Sequence, residues 1–176
     1  KFLLAKRFGD NCSCRENILV ASIEAENETF SFLFEVFCSH FELDEFIHET
    51  NQSNQNLMHP IAKNMLFSTF KLATNQAHLN DENFLHILQT IELNCDKSDM
   101  RKLLSKFDNS LDIPLDHASK NECLNVLRTF HAIYEKFFDR NGFKNLLLRS
   151  RTLLKVLKDT DDEEKAEFLS LIMENH

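Results

Sequence analysis

The chain has 176 residues, of which 43% are hydrophobic and 27% charged, a composition typical of a globular protein with one sizeable core. It contains only two Gly and two Pro beside 17 Phe, and so few chain breakers disfavour a many-turned β-sandwich or barrel. No run approaches the ~18 apolar residues of a membrane span, so we expect no direct membrane insertion. Because the chain begins with Lys1, we expect a processed product or a piece of a longer protein.

The first predicted elements lie in the first 64 residues. The segment Asn17-Ile-Leu-Val-Ala-Ser-Ile-Glu opens with apolar and small residues. An apolar stripe then recurs at helical spacing and predicts a helix through Phe30, Leu33, Phe34 and Phe37. A polar turn and a short helix follow in Asn51-Gln-Ser-Asn-Gln-Asn-Leu-Met-His-Pro-Ile-Ala-Lys-Asn.

The second half contains the most informative segment, Ile113-Pro-Leu-Asp-His-Ala-Ser-Lys-Asn-Glu-Cys-Leu-Asn-Val-Leu-Arg. It predicts a turn, a short helix, a tight reversal and a second helix that continues to about Phe138. Asp139-Arg-Asn-Gly142 predicts a further turn. A last helix is predicted at residues 163–174, because the acidic side chains at 159–164 suit a positive helix end.

The segment from Ile113 resembles the core of an ankyrin repeat, whose consensus sequence is close to T-P-L-H-x-A-A-x-x-G-H-x-x-V-V-x-L-L. The matching residues are Pro114, Leu115, Ala118, Leu124 and Val126. The segment from Asn51 resembles D-x-x-G-x-T-P-L-H-x-A-A, with His59 on the family's His and Asn54 on its turn Gly. When the chain is aligned with the family on the Leu of its Pro-Leu pair, five residues take equivalent positions: Leu19, Met58, Leu85, Leu115 and Leu146. Consecutive positions are 39, 27, 30 and 31 residues apart. The family's period is 33 residues.

The resemblance implies an all-α solenoid of four to five degenerate ankyrin-like helix-pair repeats. We place these units at about residues 12–158, followed by the capping helix, in one domain over residues 1–176. Three aligned turn-Gly positions hold Arg15, Asp81 and Leu111, so we expect shortened or reshaped loops there. The implied function is protein–protein binding without turnover, in a scaffold, an adaptor or a regulatory segment.

Three other interpretations stay open at this point. The uneven spacings allow a different helical-pair repeat or an irregular helical bundle. Ion channels of several families carry ankyrin arrays, so the chain could be a cytosolic regulatory segment of a channel. An enzyme is disfavoured, because the sequence has no Gly-rich phosphate loop, no H-E-x-x-H and no nucleophile elbow.

Candidate chemical residues are few, and we predict neither a cofactor nor a metal. His59 and His86 are expected to make structural hydrogen bonds at turns, as the family's His does. Cys12 and Cys14 lack a second ligand pair for zinc, and neighbours such as Asp116 and His117 point to different helix faces. The five scattered cysteines are an odd number, so we expect free thiols and a reducing compartment, the cytoplasm or the nucleus.

The charge distribution is bipolar. Residues 16–100 hold 14 acidic and three basic side chains, whereas residues 101–158 hold 12 basic and six acidic ones. We therefore expect a protein partner with a basic patch, bound where the family's finger would project, at Glu42, Asp44, Glu45 and Glu49. The second candidate is the run without acids that contains Arg140, Lys144, Arg149 and Arg151. Such a run could bind phosphates or an acidic partner, or be a solvated helix face. Nucleic acid is disfavoured by the net charge of −8 and by the lack of interleaved aromatic residues.

Overall fold

The structure is a computed structural model that describes residues 28–40, 47–48, 50–65, 81–150 and 152–175. Over these ranges the protein is all-helical, as predicted, and contains no strand. The helices are α1 (Glu28–His40), α2 (Met58–Asn64), α3 (Asp81–Asn94), α4 (Lys97–Leu104), α5 (Pro114–Lys120), α6 (Leu124–Phe137), α7 (Arg140–Arg149), α8 (Thr152–Asp159) and α9 (Glu163–Asn175). None of these helices is long and apolar enough to cross a bilayer.

Several predicted features lie outside the described residues. They are the opening unit with Leu19, the cysteines Cys12 and Cys14, and the aligned turn position Arg15. Among the described cysteines, Cys38 and Cys123 are free thiols.

Three short helices pack side by side. Helix α2 packs along α5, and α5 packs against α8, so the three lie side by side in chain order. Pro114 starts α5, where its fixed φ suits the first helical position and no hydrogen bond is lost. Met58 and Leu115, near the starts of α2 and α5, are fully buried. The prediction that Leu115 is buried at the start of a short helix is confirmed.

Helix α6 fills the other side of this layer. It packs against α5 and also contacts α2, α4 and α7. The predicted helix is confirmed, and its stripe buries Leu127, Phe130 and Tyr134 completely. The Tyr134 hydroxyl donates to Leu104 O at 2.5 Å and lies 3.4 Å from the Leu115 N–H, so one polar atom joins three helices. The predicted last helix is also confirmed as α9, which packs against α8.

The pair α3–α4 recurs as the pair α6–α7. Asp81 and Leu124, which begin the two longer helices, are 43 residues apart, and so are Lys97 and Arg140, which begin the shorter ones. The side chains of Asp96 and Asp139 cap α4 and α7 in the same way, by accepting from the third residue beyond. Buried residues also match: Met100 with Phe143, and Leu103 with Leu146.

The structure corrects the sequence alignment at two units. Leu85 lies inside α3 and Leu146 inside α7, so neither lies at the start of a short helix as Met58 and Leu115 do. The predicted turn at Asp139-Arg-Asn-Gly142 is wrong. Asp139 is the N-cap of α7, and its side chain accepts from the Gly142 N–H at 2.7 Å. The same Asp-x-x-Gly sequence therefore starts a helix here instead of forming a separate turn. The helix beside α5 is α8 instead, with Leu153 buried.

A single buried residue, Asn121, ties the reversal between α5 and α6 to neighbouring helices. The side-chain nitrogen of Asn121 lies 3.2, 3.0 and 2.8 Å from the carbonyl oxygens of Ala62, Lys63 and Met65 at the end of α2. The main-chain carbonyl oxygen of Asn121 accepts from Lys165 Nζ of α9 at 2.8 Å. Asn121 is only 6% exposed, so these bonds are formed away from water. Through its side chain and its main chain, Asn121 therefore ties the end of α5 to both α2 and α9.

We expect Leu115→Asp to lower the free energy of unfolding by about 3 kcal/mol or more, because it forces an unpaired charge into the fully buried junction of α2, α5 and α6. The matched control is Leu148→Asp in α7, where the side chain is 72% exposed and the same change should cost no more than about 1 kcal/mol. Urea unfolding followed by circular dichroism measures both. Equal midpoints for the two variants would show that Leu115 is not part of the core.

Candidate functional site

Two polar turns precede α2 and α5 and are bonded to each other. Asn54 has φ of 61° and Leu111 has φ of 64°, both in the left-handed region that non-glycine residues rarely adopt. The Asn109 N–H donates to Ser53 O at 2.9 Å, and the Asn54 side chain donates to Phe107 O at 2.8 Å. Both left-handed residues occupy positions that align with the family's turn Gly. At Leu111 the left-handed conformation is therefore kept without Gly.

The third aligned position departs further from the family pattern. Asp81 is the first residue of α3 and so belongs to a helix rather than to a turn. His86, expected to stabilise a turn, lies exposed within the same helix. That expectation is wrong, because the Leu85-His86 pair falls in a long helix and not at the start of a short one.

His59 connects the first turn to the second and is completely buried. Its Nδ1 lies 2.9 Å from Asn56 Oδ1, and its Nε2 lies 3.1 Å from Lys106 O. Burial, reinforced by the nearby imidazole of His117, lowers the pKa of His59 to about 4, so the ring is neutral at pH 7. The predicted structural role of His59 is thus matched by its contacts.

Asp108 organises the second turn. Its Oδ1 accepts from the Ser110 and Asp112 N–H groups at 2.8 and 3.0 Å. Its Oδ2 accepts from Gln55 Nε2 and lies against His117 Nε2, each at 3.0 Å. Burial alone would raise the pKa of Asp108, but the hydrogen bonds from Asp112, Gln55 and His117 outweigh it and hold the pKa below its usual value. The carboxylate is therefore ionised and fully engaged.

Two more buried carboxylates continue from this turn towards α8. Asp112 accepts from Lys120 Nζ and from Thr152 Oγ1, both at 2.5 Å. Asp116 accepts from the Ile113 N–H at 2.8 Å and from Ser150 Oγ at 2.5 Å. Burial raises the pKa of Asp116 to about 6 despite the hydrogen bond from Ser150.

Three of these groups have the composition of a metal site. Ligand atoms of Asp108, Asp112 and His117 lie within 4.8 Å of one another. Sequence reasoning considered only Asp116 beside His117 and missed this set. Lys120 and Thr152 already occupy both oxygens of Asp112, so a cation would have to displace an ammonium group at 2.5 Å. The donor set fits a hydrogen-bonded support for the turn better than a metal centre.

The predicted binding residues fall into two groups. Arg140, Lys144 and Arg149 lie exposed on α7, where the Arg149 guanidinium stacks 4.5 Å from the centre of the Phe107 ring. The remaining predicted residues lie outside the described part of the chain: Glu42, Asp44, Glu45, Glu49 and Arg151. The structure therefore provides a surface for the basic candidate only.

Comparison with known proteins adds no relative: no family model, no curated protein and no solved structure matches this chain.

We expect Leu111→Gly to raise the free energy of unfolding by about 1 kcal/mol, because it removes the cost of a left-handed Leu whose side chain is 69% exposed and packs little. The control, Ser110→Gly in the same turn, has no positive φ to relieve and should be neutral or destabilising. Chemical denaturation of both variants gives the comparison. A less stable Leu111→Gly protein would contradict the left-handed geometry.

His59 and Asp116 should have opposite effects on stability between about pH 4 and pH 6. The folded-state pKa of His59 is depressed from 6.5, so its contribution is lost as pH falls. The folded-state pKa of Asp116 is raised from 3.8, so its contribution is lost as pH rises. Each effect is on the order of a few kcal/mol, and in the parent protein they offset each other.

Asp116→Asn should therefore reveal a stability that increases with pH over this window, and His59→Gln one that decreases with pH. Denaturation midpoints at half-unit pH intervals measure both slopes. Parallel profiles for the two variants would show that these groups do not titrate as stated.

Proposed function

We propose that this chain is a non-catalytic protein-binding domain built from degenerate ankyrin-like helix pairs. The observation that carries the proposal is the pair of turns before α2 and α5. In both, a left-handed residue stands where the family has its turn Gly, and the Asn109–Ser53 bond joins the turns side by side. Stacked turns of this kind, followed by stacked short helices, are what a repeat array requires.

The state of the polar side chains supports a binding role over catalysis. Asp108, Asp112 and Asp116 are buried, and each accepts hydrogen bonds that hold the chain in place. His59 is neutral and enclosed between Asn56 and Lys106. A general acid or base must reach a substrate, and these groups already have structural partners. The surface of such a domain acts through shape and charge.

The arrangement of the short helices supports a surface along the stack. Lys63, Lys120 and Lys155 are exposed, one on each of α2, α5 and α8. Because these helices lie side by side, we propose that a partner binds along their exposed residues.

The second candidate is a different helical repeat with the same kind of function. The 43-residue recurrence of α3–α4 in α6–α7 favours it, because the extra helices α4 and α7 have no counterpart in a two-helix ankyrin unit. Both candidates bury apolar helix faces between units and leave a binding surface. They differ in which loops are available to a partner.

The test is affinity capture with the isolated chain, followed by mass spectrometry and measurement of affinity for the captured protein. A version with Lys at Glu42, Asp44, Glu45 and Glu49 should keep its helicity and bind at least ~10-fold more weakly, about 1.4 kcal/mol, because complementary charge is reversed. The effect should shrink at high salt, since exposed charges are screened.

The matched control reverses the second predicted surface, with Glu at Arg140, Lys144, Arg149 and Arg151. If this version loses affinity and the first does not, the partner binds the basic surface. If no protein is captured by a correctly folded chain, the proposed function is wrong.

A further inference from the structure

A depression opens where the end of α5 meets α8 and the connection from α8 to α9. Its volume is about 350 Å³, and it is lined by Lys120, Thr152, Lys155, Asp159, Thr160 and Lys165. Three lysines and two threonines thus line one small space. They come from α5, α8, the connection from α8 to α9 and α9, so no single stretch of sequence displays the cluster.

Lys165 is the least usual of these side chains. Only 7% of it is exposed, although lysine is rarely buried without a charged partner. Its Nζ donates to the Asn121 carbonyl at 2.8 Å, and in the described ranges no carboxylate lies within 4 Å of it. Burial accordingly lowers the pKa of Lys165, opposed by the charges of Asp162 and Glu122. An anion in the depression would supply the missing partner.

The other polar groups of the lining differ in how they are held. Asp112 accepts from both Lys120 and Thr152 at 2.5 Å, which fixes these two side chains at one wall. Thr160 Oγ1 accepts from the Asp162 N–H at 3.3 Å, so its own O–H remains available to donate. Lys155 is exposed on α8 and forms no ion pair with the described residues.

We propose that this depression binds the phosphate group of a phosphorylated serine or threonine on the partner protein. A phosphate monoester has a charge of about −1.5 to −2 and three strong acceptor oxygens, which suit ammonium and hydroxyl donors. Lys120 is already neutralised by Asp112, so Lys155 and Lys165 supply the attraction, while Asp159 on the rim opposes it. That the phosphate belongs to a partner protein rests on the proposed binding function. That the depression binds phosphate does not depend on that function.

The pocket is tested with inorganic phosphate. Titration at pH 7.5, with sodium chloride at matched ionic strength as reference, should give saturable amide shifts within residues 152–165 in ¹H–¹⁵N spectra. Lys155→Gln should weaken binding about fivefold to tenfold, and Asp159→Asn should strengthen it, because one removes attraction and the other repulsion. Lys158→Gln, on the same helix but outside the lining, is the matched control and should change nothing.

Absence of saturable shifts, or equal affinities for Lys155→Gln and Lys158→Gln, would overturn the proposed site. Lys165 also donates to the Asn121 carbonyl, so Lys165→Met could unfold the protein. The test of the site therefore uses the exposed Lys155.

The source of the phosphate is tested on the captured partner, before and after phosphatase treatment. Loss of affinity on dephosphorylation, absent in Lys155→Gln, supports the proposal. Unchanged affinity overturns the phosphoprotein as occupant and leaves the binding function intact. If phosphate binds but no protein is ever captured, it is the proposed function that fails.

Discussion

Three buried carboxylates, spaced four residues apart, set the geometry on which the packing of the three short helices depends. Asp108 bonds to Gln55 beside α2, Asp112 to Thr152 of α8, and Asp116 to Ser150 just before α8. Apolar burial holds the short helices together, but it is non-directional and would tolerate a shift along the stack. A displaced helix would leave a buried carboxylate without its donors, at a cost of several kcal/mol, so the polar network selects one register.

How much of the fold the sequence reveals depends on the length of each element. The periodic apolar stripes in the sequence predict α1 and α6, and the Pro-Leu motif predicts α5. Alignment on single leucines fails at Leu85 and Leu146, because a Leu inside a long helix has the same local pattern as one at the start of a short helix. The 43-residue recurrence becomes visible only when helix bounds and the capping Asp96 and Asp139 are compared directly.

The sites show a similar division. Arg140 and Lys144 belong to a run of basic residues on one helix, so their exposure can be predicted from the sequence. The grouping of Asp108, Asp112 and His117 crosses a turn whose path depends on a left-handed Leu, a conformation that no propensity favours. The lysine-lined depression is harder still to foresee, because its lining is assembled by packing of α8 against α5 rather than by spacing along the chain.

Asn121 has a consequence for how the molecule opens. In most stacked helical architectures adjacent units can fray one at a time from an end, since each touches only its neighbours. Here the side-chain amide of Asn121 bonds to the end of α2, and the main-chain carbonyl of the same residue accepts from Lys165 of α9, so one residue links the first of the three short helices to the final helix. Detaching either end breaks a bond that also anchors the reversal in the middle. Amide protons in α2, α5 and α9 should then report a common free energy of opening, as for a single cooperative event, and not a gradient along the chain.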